Sequence, residues 1–183
     1  FYLSEMNVDK VICFEPNNYS CQLLTENLAI NKFTHRTVIE NVALGEKQGV
    51  GFETGFTTSN TGMNKITHVK SSECNNGVVI RRLDDYNFEN IDFIKIDVEG
   101  FELEVLNGAQ ETIKDSRPIL LIEVFDDNAS AVKNYFENLN YKFGEKLLNT
   151  ATCRCNAAVV NNPTLGENHG QKLTNLLTFV KLQ

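Results

Sequence analysis

The stretch Ile91-Asp-Phe-Ile-Lys-Ile-Asp-Val-Glu-Gly-Phe-Glu-Leu-Glu-Val-Leu-Asn-Gly-Ala109 decides how the chain is read. It opens as an apolar, β-rich run and ends in the acids Asp97, Glu99 and Glu102, with Gly100 directly after Glu99. From Glu99 the apolar residues Phe101, Val105, Leu106, Ala109 and Ile113 recur at helical spacing, predicting a helix over 99–113. A buried strand that delivers carboxylates to a helix start builds sites in open α/β sheets, whose ligands sit beyond the carboxyl ends of the strands.

The pattern repeats on either side. Lys10–Phe14 predicts a short buried strand closed by Glu15-Pro16, and Pro16 suits the first turn of a helix that runs to about Asn31. Thr37–Leu44 predicts a second strand, stopped by Gly45. Val50–Glu53, Ile66–Val69 and Val78–Leu83 predict short strands, with a mobile loop over Thr54–Asn64 and a turn at Asp84-Asp85. Pro118–Val124 is a continuous apolar run, the pattern of a strand covered on both faces, and Ala129–Leu139 a helix. Cys153–Val160 and Leu173–Lys181 predict two closing strands that form an antiparallel edge pair. Strands alternating with helices from Lys10 to Leu139 predict a mostly parallel, doubly wound α/β sheet in one domain spanning 1–183.

Bulk properties narrow the partners. The net charge of −7 over 183 residues argues against nucleic acid or an anionic membrane surface as partner. No apolar run is long enough to span a bilayer, and no signal-peptide pattern opens the chain. The 5 cysteines are odd in number and lack Cys-x-x-Cys spacing, and the 3 histidines lack ligand spacing. Together they speak against a zinc site and for a reducing, cytoplasmic setting. Cys153 and Cys155 read as neighbours on one strand face rather than as a redox pair.

The candidate site follows from the strand ends. Glu15 stands where nucleoside-binding α/β folds place the acid that accepts from both ribose hydroxyls. The alternative for it is a helix-terminus carboxylate. Asn41-Val42-Ala43 ends the next strand with an amide and two small apolar residues that could hold a purine ring, or is simply a strand before its glycine stop. Asp97, Glu99 and Glu102 crowd three like charges together, an arrangement that suits a general base or a bound cation. Glu123 lies at the end of the next buried strand, in line with Asp97.

In order and spacing, Val11-Ile-Cys-Phe-Glu-Pro-Asn17, Asn41-Val-Ala-Leu-Gly45, Leu83-Asp-Asp-Tyr86, Ile91 through Glu102, Leu106-Asn-Gly-Ala109 and Pro118-Ile-Leu-Leu-Ile-Glu123 closely resemble the FkbM family of S-adenosylmethionine-dependent methyltransferases. The resemblance covers roughly Phe1 to Val124. It implies a Rossmann-like methyltransferase sheet with an antiparallel C-terminal strand, S-adenosylmethionine as cofactor, and methyl transfer to a hydroxyl of a sugar or secondary metabolite. Carried over by position, Glu15, Pro16 and Asn17 would hold the cofactor ribose and Asn41, Val42 and Ala43 would lie along its adenine. Asp97, Glu99 or Glu123 would take the acceptor's proton, or a divalent metal bound in the same cluster would lower the hydroxyl's pKa, with no residues assigned as metal ligands. The family opens with a strand and an Asp-x-Gly-Ala-Asn-x-Gly loop, whereas this sequence starts at Phe1 with what reads as the following helix. The expectation is therefore a fragment whose sheet lacks its central strand, between Lys10–Phe14 and Ile91–Asp97. Inactivity would be one consequence, and a non-catalytic binding or scaffold module the alternative. A nicotinamide-dependent oxidoreductase is disfavoured, since Glu15 leaves no room for the glycine motif some 20 residues before it.

Overall fold

The computed structural model describes residues 8–54, 65–68, 77–98, 100–148, 155–161 and 175–178. The predicted helix end at Phe1–Met6, the loop over 55–64 and the side chain of Glu99 lie outside them.

Strand β1 (Lys10–Phe14) is buried from Val11 onward. Pro16 follows, and Asn17 caps helix α1 (Asn18–Ile30) by accepting the Ser20 N–H on its side-chain oxygen. That bond satisfies one of the orphan donors of the first turn. The predicted strand over 37–44 is two strands. β2 (Thr37–Glu40) pairs with β1, whereas β3 (Ala43–Leu44), after a non-strand step at Asn41-Val42, joins a second sheet. There β3 meets β6 (Val78–Arg81), which also pairs with β4 (Gly49–Thr54), and β4 pairs with β5 (Lys65–His68). A 3-10 helix (Leu83–Tyr86) replaces the turn expected at Asp84-Asp85.

The main sheet continues with β7 (Phe93–Ile96) and β8 (Ile119–Phe125). Between them the single helix predicted over 99–113 is instead α2 (Glu102–Asn107) and α3 (Gln110–Ser116). The interruption at Gly108 has a physical cause. The Gly108 carbonyl accepts the Asp84 N–H at 3.0 Å, so it is drawn toward the 3-10 helix. The Asp84 carboxylate then caps α3 from outside, accepting from Thr112 N at 2.9 Å and Thr112 Oγ1 at 3.0 Å. Ala109, at the N-cap position, has no side chain able to do so. After β8 come α4 (Asp126–Asn138), β9 (Lys142–Leu148), which the sequence pattern missed, β10 (Cys155–Asn161) and β11 (Asn175–Thr178).

The order across the seven-stranded sheet is β2-β1-β11-β7-β8-β10-β9. β2, β1, β11, β7 and β8 are parallel, and β10 runs antiparallel between β8 and β9. The expected antiparallel C-terminal strand is thus β10. The expected edge pairing of the last two strands is not found: β11 does not touch β10 but lies in the middle of the sheet, parallel to β1 and β7. The central position, expected to be vacant, is filled. A vacancy would have left the facing backbone groups of β1 and β7 without ladder partners, and β11 supplies them.

Side chains alternate between two cores, as the strand period requires. Ile12, Phe14, Ile94, Ile96, Leu120 and Ile122 join Val105, Leu106, Ile113, Val132 and Phe136 under α2, α3 and α4. Val11 and Cys13 pack with Leu24 and Leu28 of α1, and Phe93 joins them. Among the described residues no helix is long and apolar enough to cross a membrane.

Candidate active site

The register of the parallel strands sets the site. Cys13 pairs with Thr178, Thr178 with Lys95 and Lys95 with Leu121, one level row across β1, β11, β7 and β8. Glu15, Asp97 and Glu123 each stand two residues beyond that row, at the carboxyl edge of the sheet. With strands about 4.8 Å apart, Asp97 and Glu123 are neighbours, and Glu15 lies roughly 10 Å from Asp97 across the β11 position. The spacing follows from sequence: each acid comes at the same point after an apolar strand. Glu123 does not end its strand, as expected, because β8 continues to Phe125.

Glu15 is only 5% exposed. Its Oε1 accepts the Asn17 N–H at 2.8 Å, and its carbonyl accepts the Asn41 side-chain amide at 2.9 Å and the Cys21 thiol at 3.0 Å. Asn41 also donates to the Pro16 carbonyl at 3.2 Å and contacts Cys21 Sγ at 3.1 Å. The amide at 41 therefore braces the loop that carries Glu15, and the side chain of Asn17 is committed to its helix cap. Val42 is buried in the larger core, and Ala43 packs with Val78 and Ile80. Of the six residues expected on the cofactor side, Glu15, Pro16, Asn17 and Asn41 form one connected cluster, while Val42 and Ala43 face packed interiors.

An aromatic group beside that cluster is absent from the sequence reading. Phe14 meets Tyr86 edge-on at 5.2 Å, and Tyr86 stacks on Phe88 at 5.3 Å. The Tyr86 hydroxyl donates to Glu40 Oε2 at 3.4 Å, a long contact. Burial first, then the Glu40 carboxylate, raises the Tyr86 phenol above its ordinary pKa. The available signal was the position of Tyr86 three residues after Leu83, which puts both on one side of a 3-10 turn.

On the other side, Lys95 Nζ approaches Asp97 Oδ2 to 2.8 Å, with side-chain exposures of 30% and 14%. Residues i and i+2 of a strand share a face, so Lys95 was legible as a partner and was missed. Glu102, one of the three crowded acids, is fully buried rather than poised over the edge. Its two oxygens accept from Gly100 N at 2.7 Å and from the Asn128 amide at 2.9 Å. Among the described residues no group of three or more His, Cys, Asp or Glu side chains could hold a metal.

A parallel sheet with one antiparallel strand near its edge, helices on both faces and carboxylates level along one edge defines a Rossmann-like domain of the methyltransferase type. The methyltransferase FkbM domain matches residues 1–143, and the chain belongs to that family of methyltransferases. A crystal structure of methyltransferase FkbM from Methylobacillus flagellatus KT has a similar fold, with a TM-score of 0.60 at 22% identity over 83% of this chain. The match spans 36% of that protein, about a third of its length. No curated protein matches the chain.

Proposed function

We propose that the domain is an S-adenosylmethionine-dependent O-methyltransferase acting on a hydroxyl of a sugar or secondary metabolite. The observation that carries this reading is the level placement of Glu15, Asp97 and Glu123 at the carboxyl edge, with Glu15 one strand removed from the other two. The residues fit the nucleoside half of the cofactor. A buried carboxylate on a braced loop suits a vicinal diol, whose two hydroxyls it can accept. When bound, the cofactor supplies a methyl group activated by its sulfonium.

The chain's own residues then divide the work. Glu15 holds the ribose hydroxyls, and Asn41 keeps the Glu15 loop in place through the backbone carbonyls of Glu15 and Pro16. Asp97 accepts the proton of the acceptor hydroxyl on its carboxylate, while Lys95 fixes that carboxylate's orientation. Glu123, the neighbour on β8, supplies the second carboxylate facing the acceptor. The acidic edge suits a neutral or cationic acceptor better than an anionic one.

A second reading, a non-catalytic binding module, is favoured by one observation. The strand between β1 and β7 is Asn175–Thr178, a segment that comes late in the sequence rather than ahead of β1. Calorimetry with S-adenosylhomocysteine separates the two readings. Saturable binding that Glu15→Gln weakens supports the enzyme; absence of binding sinks it. A labelled-methyl transfer screen over sugars and hydroxylated metabolites then names the acceptor.

A further inference from the structure

The segment joining β7 to α2 is held by an unusual set of bonds. The chain turns at Val98–Phe101, where the Phe101 N–H donates to the Val98 carbonyl at 3.2 Å. Gly100 has φ +91°, a conformation side chains with a Cβ rarely adopt. Both backbone polar groups of Gly100 are gripped. Its N–H donates to Glu102 Oε1 at 2.7 Å, and its carbonyl accepts from Asn128 Nδ2 at 3.3 Å. The same amide nitrogen donates to Glu102 Oε2 at 2.9 Å, closing the ring. Glu102 is fully buried and its two bonds are partly buried, while the Asn128–Gly100 contact lies at the surface.

The ring spans the two strand ends that carry the acceptor-side acids. Gly100 follows Asp97 by one turn, and Asn128 belongs to α4, which starts directly after β8 and its Glu123. We propose that Glu102 and Asn128 are positioning residues that lock the carboxyl ends of β7 and β8 together, and so hold Asp97 where an acceptor hydroxyl must be met. Both Glu102 oxygens are engaged by Gly100 and Asn128, so it acts through them rather than on the reacting atoms. The carboxylate is needed in its acceptor-only form: Oε1 and Oε2 must accept from two different donors, which an amide cannot do. The assignment to catalysis rests on the proposed methyl-transfer reading. The mechanical claim stands on the bonds alone.

The test uses Glu102→Gln, Asn128→Asp and the double variant Glu102→Gln/Asn128→Asp, which reverses the donor and acceptor of the side-chain pair. Amide hydrogen exchange at Gly100 and Phe101, read by NMR, should quicken by tenfold or more in Glu102→Gln and slow again in part in the double variant. Asn128→Asp sets a second carboxylate against the buried Glu102 and should quicken exchange at least as much. S-adenosylhomocysteine affinity, which depends on Glu15, should change by less than threefold in each. With an acceptor from the screen, kcat should fall by tenfold or more while the KM for cofactor holds, and the double variant should recover part of kcat. Unchanged exchange at Gly100 in Glu102→Gln overturns the lock, whatever the activity. Quickened exchange with unchanged kcat overturns the positioning role. Loss of S-adenosylhomocysteine binding by the unaltered protein strikes the methyl-transfer reading and leaves the exchange result to decide the lock. Should Glu102→Gln not fold, Asn128→Ala breaks the same ring from a less buried position and carries the same expectations.

Discussion

Gly108 packs directly against Gly45: a methyl group built on Gly108 would stand 2.0 Å from the Gly45 carbonyl oxygen and 2.8 Å from its carbonyl carbon. The contact joins the end of β3 to the break between α2 and α3, and thereby the second sheet to the helices covering the first. Both partners are backbone, so neither can swing aside. Gly108→Ala should therefore cost about 3 kcal/mol or more, at the upper end of overpacking. At Gly45 the added methyl would meet Ile80 Cγ2 at 2.9 Å, on a buried, β-branched side chain that is stiff at χ1, and Phe101 Cε1 at 3.2 Å. Gly45→Ala should cost less than that, about 2 kcal/mol, because side chains rather than backbone must give. Urea unfolding midpoints rank the two, and an Ala at 108 tolerated as well as an Ala at 45 would refute the contact.

Asp84 does for α3 what no residue of α3's own N-terminus does. Its Oδ1 accepts from Thr112 N and Thr112 Oγ1, its Oδ2 lies 3.3 Å from Glu111 N, and Arg82 Nη2 stands 3.0 Å from the same oxygen. Asp84→Ala should destabilise the protein by about 1 to 2 kcal/mol, the range for a lost N-cap. Asp85→Ala should cost under about 0.5 kcal/mol, as its 2.8 Å bond from Gln48 is at the surface and its Arg82 contact is long at 3.7 Å. Equal losses at both positions, measured by thermal unfolding, would show that the carboxylate at 84 is not acting as a cap.

How much of this was legible depended on whether the cause was local. β1 and β8 declare themselves through continuous apolar runs and β7 through apolar residues interrupted by Lys95, and Glu15, Asp97 and Glu123 are the first acids each run meets. The division of 99–113 into two helices was not legible, because helical periodicity runs straight through Gly108 and the interruption comes from Asp84, far away in sequence. The split of 37–44 between two sheets was hidden for the same reason: each half is a good strand, and only the partner differs. The burial of Glu102 could not be read from a charge at helical spacing, since Asn128 provides for it from another element. The place of β11 depended on the vacancy between β1 and β7, which no pattern within Asn175–Thr178 reveals.

Alkaline pH should loosen the fold before neutral pH does. Cys13 is 1% exposed, and burial, with Cys21 adding to it, pushes its thiol up to about 12. Burial likewise raises Tyr141 to about 12, opposed in part by the Arg117 guanidinium 4.2 Å from its ring centroid. Between the unfolded values, near 8.5 for Cys and 10 for Tyr, and about 12, the unfolded chain has released protons that the folded chain keeps. Stability is therefore fully present below about pH 8.5 and falls as pH rises toward 12. Each group contributes a slope approaching about 1.4 kcal/mol per pH unit where only its unfolded form is ionised. Unfolding midpoints taken from pH 7 to 11 should be level at first and then decline, and Cys13→Ala should shallow the decline between pH 9 and 11. An unaltered slope in that variant would remove Cys13 from the account.

The two sides of the edge should respond separately to mutation. Glu15→Gln keeps the shape and the Oε1 acceptor for the Asn17 N–H, but replaces a charged acceptor of two hydroxyls with a neutral one. S-adenosylhomocysteine binding should weaken about tenfold to a hundredfold, the worth of charge-assisted hydrogen bonds. Asp97→Asn should leave that binding within about threefold, since Asp97 lies across the β11 position from Glu15, yet lower methyl transfer by about 10² to 10⁴, the contribution typical of a general base. Lys95→Met should lower the rate less, by about tenfold, because the carboxylate survives and only its fixed orientation is lost. Calorimetry and labelled-methyl transfer on the same preparations give the comparison. Should Asp97→Asn weaken the cofactor product's binding as strongly as Glu15→Gln does, the division of the edge into a nucleoside side and an acceptor side would be wrong. Should Asp97→Asn keep full transfer, the base must be sought at Glu123, the next carboxylate along the same level of the sheet.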